Sequence, residues 1–241
     1  MSSEVVHTRP MMDTTLRFGS HLPEGSLVLT FDDGPGATTG SGRGPRTIEL
    51  AQYLAEEQIE ATFFMCGKHV SDHREIPSEV MALGHRVGNH TWSHRHLPDL
   101  DGDSIREELR STRALLAECG VGGPIPFRPP WGEWDQRIDA EVNADQEILA
   151  GHSANYGWDI DGMDWQCWWN MGTPQECADS YLNHIRKTGS GVVLMHDSTA
   201  DPGRPGEEMR AGNLAVDAVR ILVPALRAEG FTFVPLADVD G

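Results

Sequence analysis

Three observations predict an α/β fold built on a largely parallel sheet. Strand-like and helix-like hydrophobic patterns alternate for most of the chain, the order expected when each strand is followed by a helix that packs back on the sheet. Polar residues able to do chemistry stand directly after three of the strand-like runs, where parallel sheets and barrels gather their active groups. The length, 241 residues at 39% hydrophobic content, supports one large core. We read residues 1–241 as one domain, with its core at about 27–236 and an N-terminal extension at 1–26.

The elements follow in order. Leu27 to Phe31 is an apolar strand that empties into Asp32-Asp33-Gly34-Pro35, and the glycine-rich stretch Gly34 to Pro45 is a loop flanking those carboxylates. Arg46 to Ile59 places Ile48, Ala51, Leu54 and Ala55 on one helical face, and Ala61 to Met65 reads as a buried strand. The next helix is interrupted at Pro77, and His85 to Val87 is a short strand leading to His90. Ser104-x-x-Glu107 reads as a capping box opening a helix from Ile105 to Cys119. Ile125 to Arg128 is a short strand before the turn Pro129 to Gly132, and Asp135 to Ala150 is one helix. Thr173-Pro174-Gln175-Glu176 combines an N-cap, a proline at the first helical position and a capping glutamate, so a helix runs to about Lys187 and stops at Gly189. Gly191 to Met195 is a buried strand ending in His196-Asp197. Leu214 to Glu229 is a helix kinked at Pro224, and Phe231 to Val234 is the last strand.

A formal net charge of −18 excludes nucleic acid as a partner, because phosphate backbones are held chiefly by Lys and Arg. Neutral or cationic substrates fit an acidic surface, as does a plain role in solubility. No apolar run reaches transmembrane length, and the first residues lack the basic start and apolar core of a signal peptide. The expected location is therefore the cytoplasm, or outside the cell for a chain trimmed of its leader. Four cysteines without a C-x-x-C pair disfavour a zinc knuckle. Cys66 reads as a buried thiol, while Cys167 and Cys177 would bridge only in an oxidising compartment.

His90-Thr91-Trp92-Ser93-His94 carries two histidines four apart, a spacing that presents two imidazoles to one cation from successive turns of backbone. Among eleven histidines the spacing alone is weak, and His69/His73 shares it. Asp33 supplies a third ligand, and three protein ligands leave positions open for water and substrate, as in a catalytic rather than a structural site. Such a cation acidifies water and polarises a carbonyl, which suits hydrolysis of an amide or ester. Asp32 is then available as general base, oriented and kept ionised by Arg128. His196 is the candidate acid, and a buried carboxylate must raise its pKa: Asp164, with Asp161 as the alternative.

Five blocks stand in one order: TFDDGP (Thr30 to Pro35), GHRVGNHTWSH (Gly84 to His94), RPPWG (Arg128 to Gly132), DGMDW (Asp161 to Trp165) and VVLMHD (Val192 to Asp197). With ATFFMCGKHV (Ala61 to Val70), they resemble the polysaccharide deacetylases of carbohydrate esterase family 4 over roughly residues 27–236. The resemblance implies a distorted (β/α) barrel with mostly parallel strands. It also implies a metal-dependent hydrolase that releases acetate from N-acetylated amino sugars, in chitin-like or peptidoglycan-like chains containing N-acetylglucosamine. Position by position, it implies Asp32 as base, with Asp33, His90 and His94 binding the metal, usually Zn2+ with Co2+ as an alternative. Arg128 would orient Asp32, the backbone N–H of Trp131 would help form an oxyanion hole, and Asp164 would tune His196 as acid. Trp165 and Leu194 would line the pocket for the acetyl methyl, and Pro130 would contact substrate.

Two departures from the family pattern bear on substrate choice. Trp131 stands where the family most often has tyrosine, and the loop before Thr47 is longer than usual, so Gly36 to Arg46 is expected to reshape the cleft. Alternative functions are an esterase or amidase acting on acetyl-xylan or on a soluble acetylated molecule, and a binding module that has lost catalysis. His69, His73, His85, His96, His152 and His184 have no matching role and are expected at the surface or behind the site. Trp158, Trp165, Trp168 and Trp169 either stack on sugar rings or pack in core and rim.

Overall fold

β2 (Ser26–Asp32) is buried along its whole length, as expected for the central strand of a parallel sheet covered on both faces. It pairs with β8 (Gly191–His196) along one side, and with β3 (Thr62–Met65) along the other from Thr30 onward. The short β9 (Thr232–Phe233) pairs with Ser26 and Leu27, ahead of the point where β3 begins. From β3 the sheet continues through β4 (Arg86–Asn89), β5 (Ile125–Phe127) and β6 (His152–Tyr156) to β1 (Asp13–Arg17); beyond β8 lies β7 (Ile160–Asp161). Every pairing is parallel. The computed structural model describes residues 12–37, 46–199 and 213–240, and among these no pairing joins β1 to β7. The predicted distorted barrel is thus a curled sheet left open between its two edges.

Alternation along the strands separates two apolar layers. Leu27, Leu29, Phe31, Phe63, Val193 and Met195 face outward. There they pack against Leu50 and Leu54 of α1 (Thr47–Glu56), Ile185 of α8 (Pro174–Thr188) and Leu222 of α9 (Ala215–Ala228). Val28, Phe64, Ala154, Tyr156 and Val192 form the inner layer. The same period of two puts Thr30 and Asp32 after Val28 on the inner face, and Leu194 and His196 after Val192. Gly88 on β4 makes room there, since a Cβ at that position would lie 2.5 Å from the Phe64 ring. The inner face is therefore apolar at its base and polar at the carboxyl ends of the strands.

Several elements differ from expectation. Asp13–Arg17, placed by sequence in an N-terminal extension, is an edge strand paired with β6. The helix interrupted at Pro77 is two helices, α2 (Gly67–Asp72) and α3 (Ile76–Ala82), with Pro77 in the first turn of the second. Asp101, not Ser104, caps α4 (Gly102–Glu118): its carboxylate accepts the Ser104 N–H at 2.8 Å, so the helix starts earlier. The helix expected over Asp135 to Ala150 is divided into α5 (Gln136–Asn143) and α6 (Gln146–Gly151), because Asp145 accepts the Glu147 and Ile148 N–H groups and opens a second helix. The strand β6 and α7 (Asp164–Trp169) were not anticipated. The helix α9 runs on through Pro224. The four cysteines form no disulfide, so Cys167 and Cys177 are not bridged, and Cys66 is buried. The expected groove-shaping loop lies mostly outside the described residues. Its base is closed by an Ala37–Arg46 bridge and by Thr47, whose N–H donates to the Gly36 carbonyl. No helix among the described residues is long and apolar enough to cross a membrane.

The capping box predicted at Thr173 is present, with Thr173 and Glu176 each accepting the other's backbone N–H, at 3.2 and 2.8 Å, and Gly189 (φ 87) ends the helix. Thr173→Ala should lower stability by about 1 kcal/mol. In a thermal melt this is a fall in Tm of about 2–4 °C, with catalytic residues untouched.

Candidate active site

The chain reverses at the end of β2. Asp32 is the last strand residue, and Asp33 takes a left-handed conformation (φ 75), so neighbouring carboxylates reach different partners. Asp33 Oδ1 lies 3.4 Å from His94 Nε2 and 3.5 Å from His90 Nε2. His90 Nδ1 is 2.8 Å from the Arg128 carbonyl, which can only accept, so the proton sits on Nδ1 and the Nε2 lone pair faces the carboxylate. Burial lowers the pKa of His94 to about 4 against the opposing pull of Asp33, which leaves that imidazole neutral. Asp33 Oδ1 is buried without a hydrogen-bond donor. Three electron-rich atoms within 4.8 Å of one another, with no proton between them, fit a divalent cation. The Nδ1–H of His90 bonded to a carbonyl is the usual support of a metal-bound imidazole.

The histidine pair does not ride on successive helical turns. Thr91 (φ 66) and His94 (φ 55) are left-handed, and Trp92 and Ser93 donate their N–H groups to Glu108 on α4 instead of to a helical ladder. The spacing works here through a loop whose backbone bonds are made to another element.

Arg128, directly after β5, is fully buried beneath the cluster. Its Nη1 donates to Asp32 Oδ1 at 2.8 Å and to Thr30 Oγ1 at 2.7 Å, while Nε and Nη2 donate to the Tyr156 and Gly157 carbonyls. Burial lowers the Arg128 pKa, and Asp32 opposes that shift. The guanidinium lies 4.3 Å from the centre of the Phe64 ring, the ring for which Gly88 makes space. Asp32 Oδ2 is left directed to the cluster, 3.6 Å from His90 Nε2.

His196 ends β8 in register with Asp32. Asp164 is completely buried at the start of α7; its Oδ1 lies 2.7 Å from His196 Nδ1 and its Oδ2 accepts the His196 N–H at 2.8 Å. Burial disfavours charge on His196, but Asp164, with Asp33 and Asp32 behind it, raises the pKa to about 10. Asp161 is not the partner: its carboxylate accepts the Met163 N–H.

The remaining predicted residues lie around these groups. Trp131 is left-handed (φ 60) in a single 3₁₀ turn, its ring stacked on His96 at 4.7 Å and 5.1 Å from the His94 ring. The first N–H groups of such a turn have no partner within it. Leu194 is buried on the inner face, one strand repeat below His196; Pro130 is buried beside Trp131, and Trp165 is half exposed. Trp168 packs in the outer core, which removes it as a stacking surface, whereas Trp169 is exposed. Five of the seven left-handed non-glycine residues among those described, Asp33, Thr91, His94, Trp131 and Met163, belong to these segments, a clustering common at functional sites.

Sequence reasoning passed over three supporting residues, Thr30, Asn89 and Glu108, while His69 stands behind the site, one of the two places expected for it. His69 Nδ1 lies 2.7 Å from the Asp33 carbonyl, and Asn89 Oδ1 accepts the Thr91 N–H. Thr30 carried a usable signal, two residues before Asp32 on the same strand face. Glu108 carried another, a charge in the apolar register of Ile105, Leu109 and Thr112.

The family described as polysaccharide deacetylase matches residues 19–147. A chitooligosaccharide deacetylase of Bradyrhizobium sp. (strain ANU 289) is 30% identical over 236 residues, covering 95% of this chain and 97% of its own. Chitin deacetylase 2 of Saccharomyces cerevisiae is 32% identical over 177 residues, 72% of this chain and 50% of its own. Among solved structures, the Bc1960 peptidoglycan N-acetylglucosamine deacetylase superposes with a TM-score of 0.71 at 23% identity, covering 93% of this chain and 91% of its own. A family 4 pseudoenzyme from Bacillus anthracis superposes at 0.68 with 18% identity, covering 90% and 65%. These likenesses show the shared fold, and by its sequence match the chain belongs to the polysaccharide deacetylase family.

Proposed function

We propose that this protein hydrolyses the acetamide group of N-acetylglucosamine units in an oligo- or polysaccharide, with a divalent cation, Zn2+ or Co2+, held by Asp33, His90 and His94. The observation that carries this reading is one mouth holding a base and an acid, each with its own charged partner, beside the three-ligand cluster. A cation bound there supplies Lewis acidity to the acetyl carbonyl and acidifies water at the site. Asp32 Oδ2, the oxygen not engaged by Arg128, takes the proton of the attacking water as its oxygen bonds to the carbonyl carbon. The Trp131 N–H donates to the oxygen on which negative charge develops. His196 delivers its proton to nitrogen as the C–N bond breaks, leaving acetate and a free amine.

The rim supports a sugar as substrate. Of six large hydrophobic side chains exposed among the described residues, three lie by the site: Trp131, whose ring is 5.1 Å from that of His94, and Met163 and Trp165, which flank Asp164 in the chain. Exposed tryptophans in such a group mark a binding surface rather than a core. The net charge of −18 accords with a neutral substrate and a cationic amine product. The presence of a pseudoenzyme among the structural relatives means that fold alone does not decide activity; what supports activity here is the pairing of Asp32 with Arg128 and of His196 with Asp164.

Acetate should be released from N-acetylglucosamine oligomers, stop with a chelator and resume with Zn2+ or Co2+. Assays on acetyl-xylan and a simple acetyl ester run beside it, and no metal-dependent release from any acetylated sugar would sink the proposal. Asp32→Asn should lower kcat by about 10²- to 10⁴-fold while metal binding, read by equilibrium titration, persists. For Asp164→Asn the sign follows from the raised pKa of His196: without the neighbouring carboxylate the imidazolium loses its proton at lower pH. The alkaline limb of the pH–kcat profile should move down by roughly one to three units.

A further inference from the structure

Glu108 is a buried carboxylate that the chemistry above does not use. It lies on α4 at 7% exposure, and no ion pair among the described residues includes it. A carboxylate withdrawn from water is costly unless its oxygens are hydrogen-bonded. Here they serve one short segment: Oε2 accepts the N–H groups of Trp92 and Ser93, both at 2.8 Å, and Oε1 accepts the Ser93 hydroxyl at 2.5 Å. That segment joins His90 to His94. From α2, the Gly67 and Lys68 N–H groups donate to the Thr91 and Trp92 carbonyls at 3.0 and 2.9 Å. The loop is thus held between two helices, while Thr91 and His94 keep left-handed conformations that non-glycine residues hold only when their surroundings fix them. The packing of α4 does not call for a charge at this position, since Ile105, Leu109 and Leu116 supply its apolar contacts.

We propose that Glu108 is a positioning residue for the cation cluster: by gripping Trp92 and Ser93 it sets His94 opposite His90 and Asp33. The inference rests on the metal reading above. What matters is the hydrogen bonding, not the charge. In Glu108→Gln the amide oxygen replaces Oε2, and the amide NH2 donates to a Ser93 hydroxyl that has turned to accept. In Glu108→Asp the carboxylate is one methylene too short, and in Glu108→Leu the shape remains without any acceptor.

The test is titration of the metal-free proteins with Co2+, reading its visible ligand-field bands and the Kd in competition with a chromophoric chelator. Thermal melts of the metal-free forms run alongside. Glu108→Gln should keep the wild-type Kd and band positions. Glu108→Asp and Glu108→Leu should weaken binding by about 10- to 100-fold and shift the bands. If Glu108→Leu does not fold, Glu108→Asp decides. A folded Asp or Leu variant with wild-type Kd and bands overturns the inference, and so does a Gln variant that falls as far as Leu. Failure of the wild type to bind Co2+ overturns the metal reading itself, an outcome distinct from wild-type binding with unaltered variants.

Discussion

The site depends on the buried pair of Arg128 and Asp32. A guanidinium inside a barrel is tolerated only if every face of it is answered. Here Thr30, Asp32, Tyr156 and Gly157 accept its protons, and Phe64 lies against its plane. The same residue works through its backbone: its N–H donates to the Asn89 carbonyl and its own carbonyl takes His90 Nδ1. One position thereby ties β2, β4 and β6 together, orients Asp32 and sets the tautomer of His90. The inner face needs little else that is polar, and its lower half is filled by aliphatic and aromatic side chains.

Around this anchor, adjacent residues are given different tasks by backbone conformation. Asp32 and Asp33 are neighbours, yet one is a strand residue and the other left-handed, so one carboxylate meets Arg128 and the other the histidines. The left-handed residues carry a local cost that the surrounding hydrogen bonds must offset. Those bonds come from outside the mouth: His69 to the Asp33 carbonyl, Asn89 to the Thr91 N–H, and Glu108 to the loop between the histidines. The outer helices therefore cover the sheet and also fix the segments that carry the chemistry.

This division explains what was legible in the sequence. The central strands read directly, because Leu27 to Phe31 and Gly191 to Met195 are buried on both faces and show as apolar runs. Asp32, Asp33, Arg128 and His196 were legible because they stand at strand ends, and Thr173 because its capping residues act within four positions. The first strand past the turn at Gly132, His152–Tyr156, was not legible: its His152 and Asn155 are buried polar residues bonded to Asn89 and Thr14, so no apolar pattern announces it. The break at Asp145 was missed for a related reason, since an aspartate inside a helical period looks the same whether it faces solvent or caps a new helix. Glu108 pointed inward from a helix, but only the fold shows that the loop between His90 and His94 lies over it.

Base and acid sit at the ends of neighbouring strands, in register, and oppositely charged groups so placed would be drawn into a pair that disables both. The structure prevents this by giving each a stronger tether. Asp32 is bound to Arg128 on one oxygen, and His196 is bound through Nδ1 and its backbone N–H to Asp164, a carboxylate with no exposure to water. In the proposed mechanism Asp32 and His196 keep separate tasks through what each is fastened to rather than through distance along the sheet. Arg128 and Asp164 therefore matter to that proposed mechanism as much as the groups they hold.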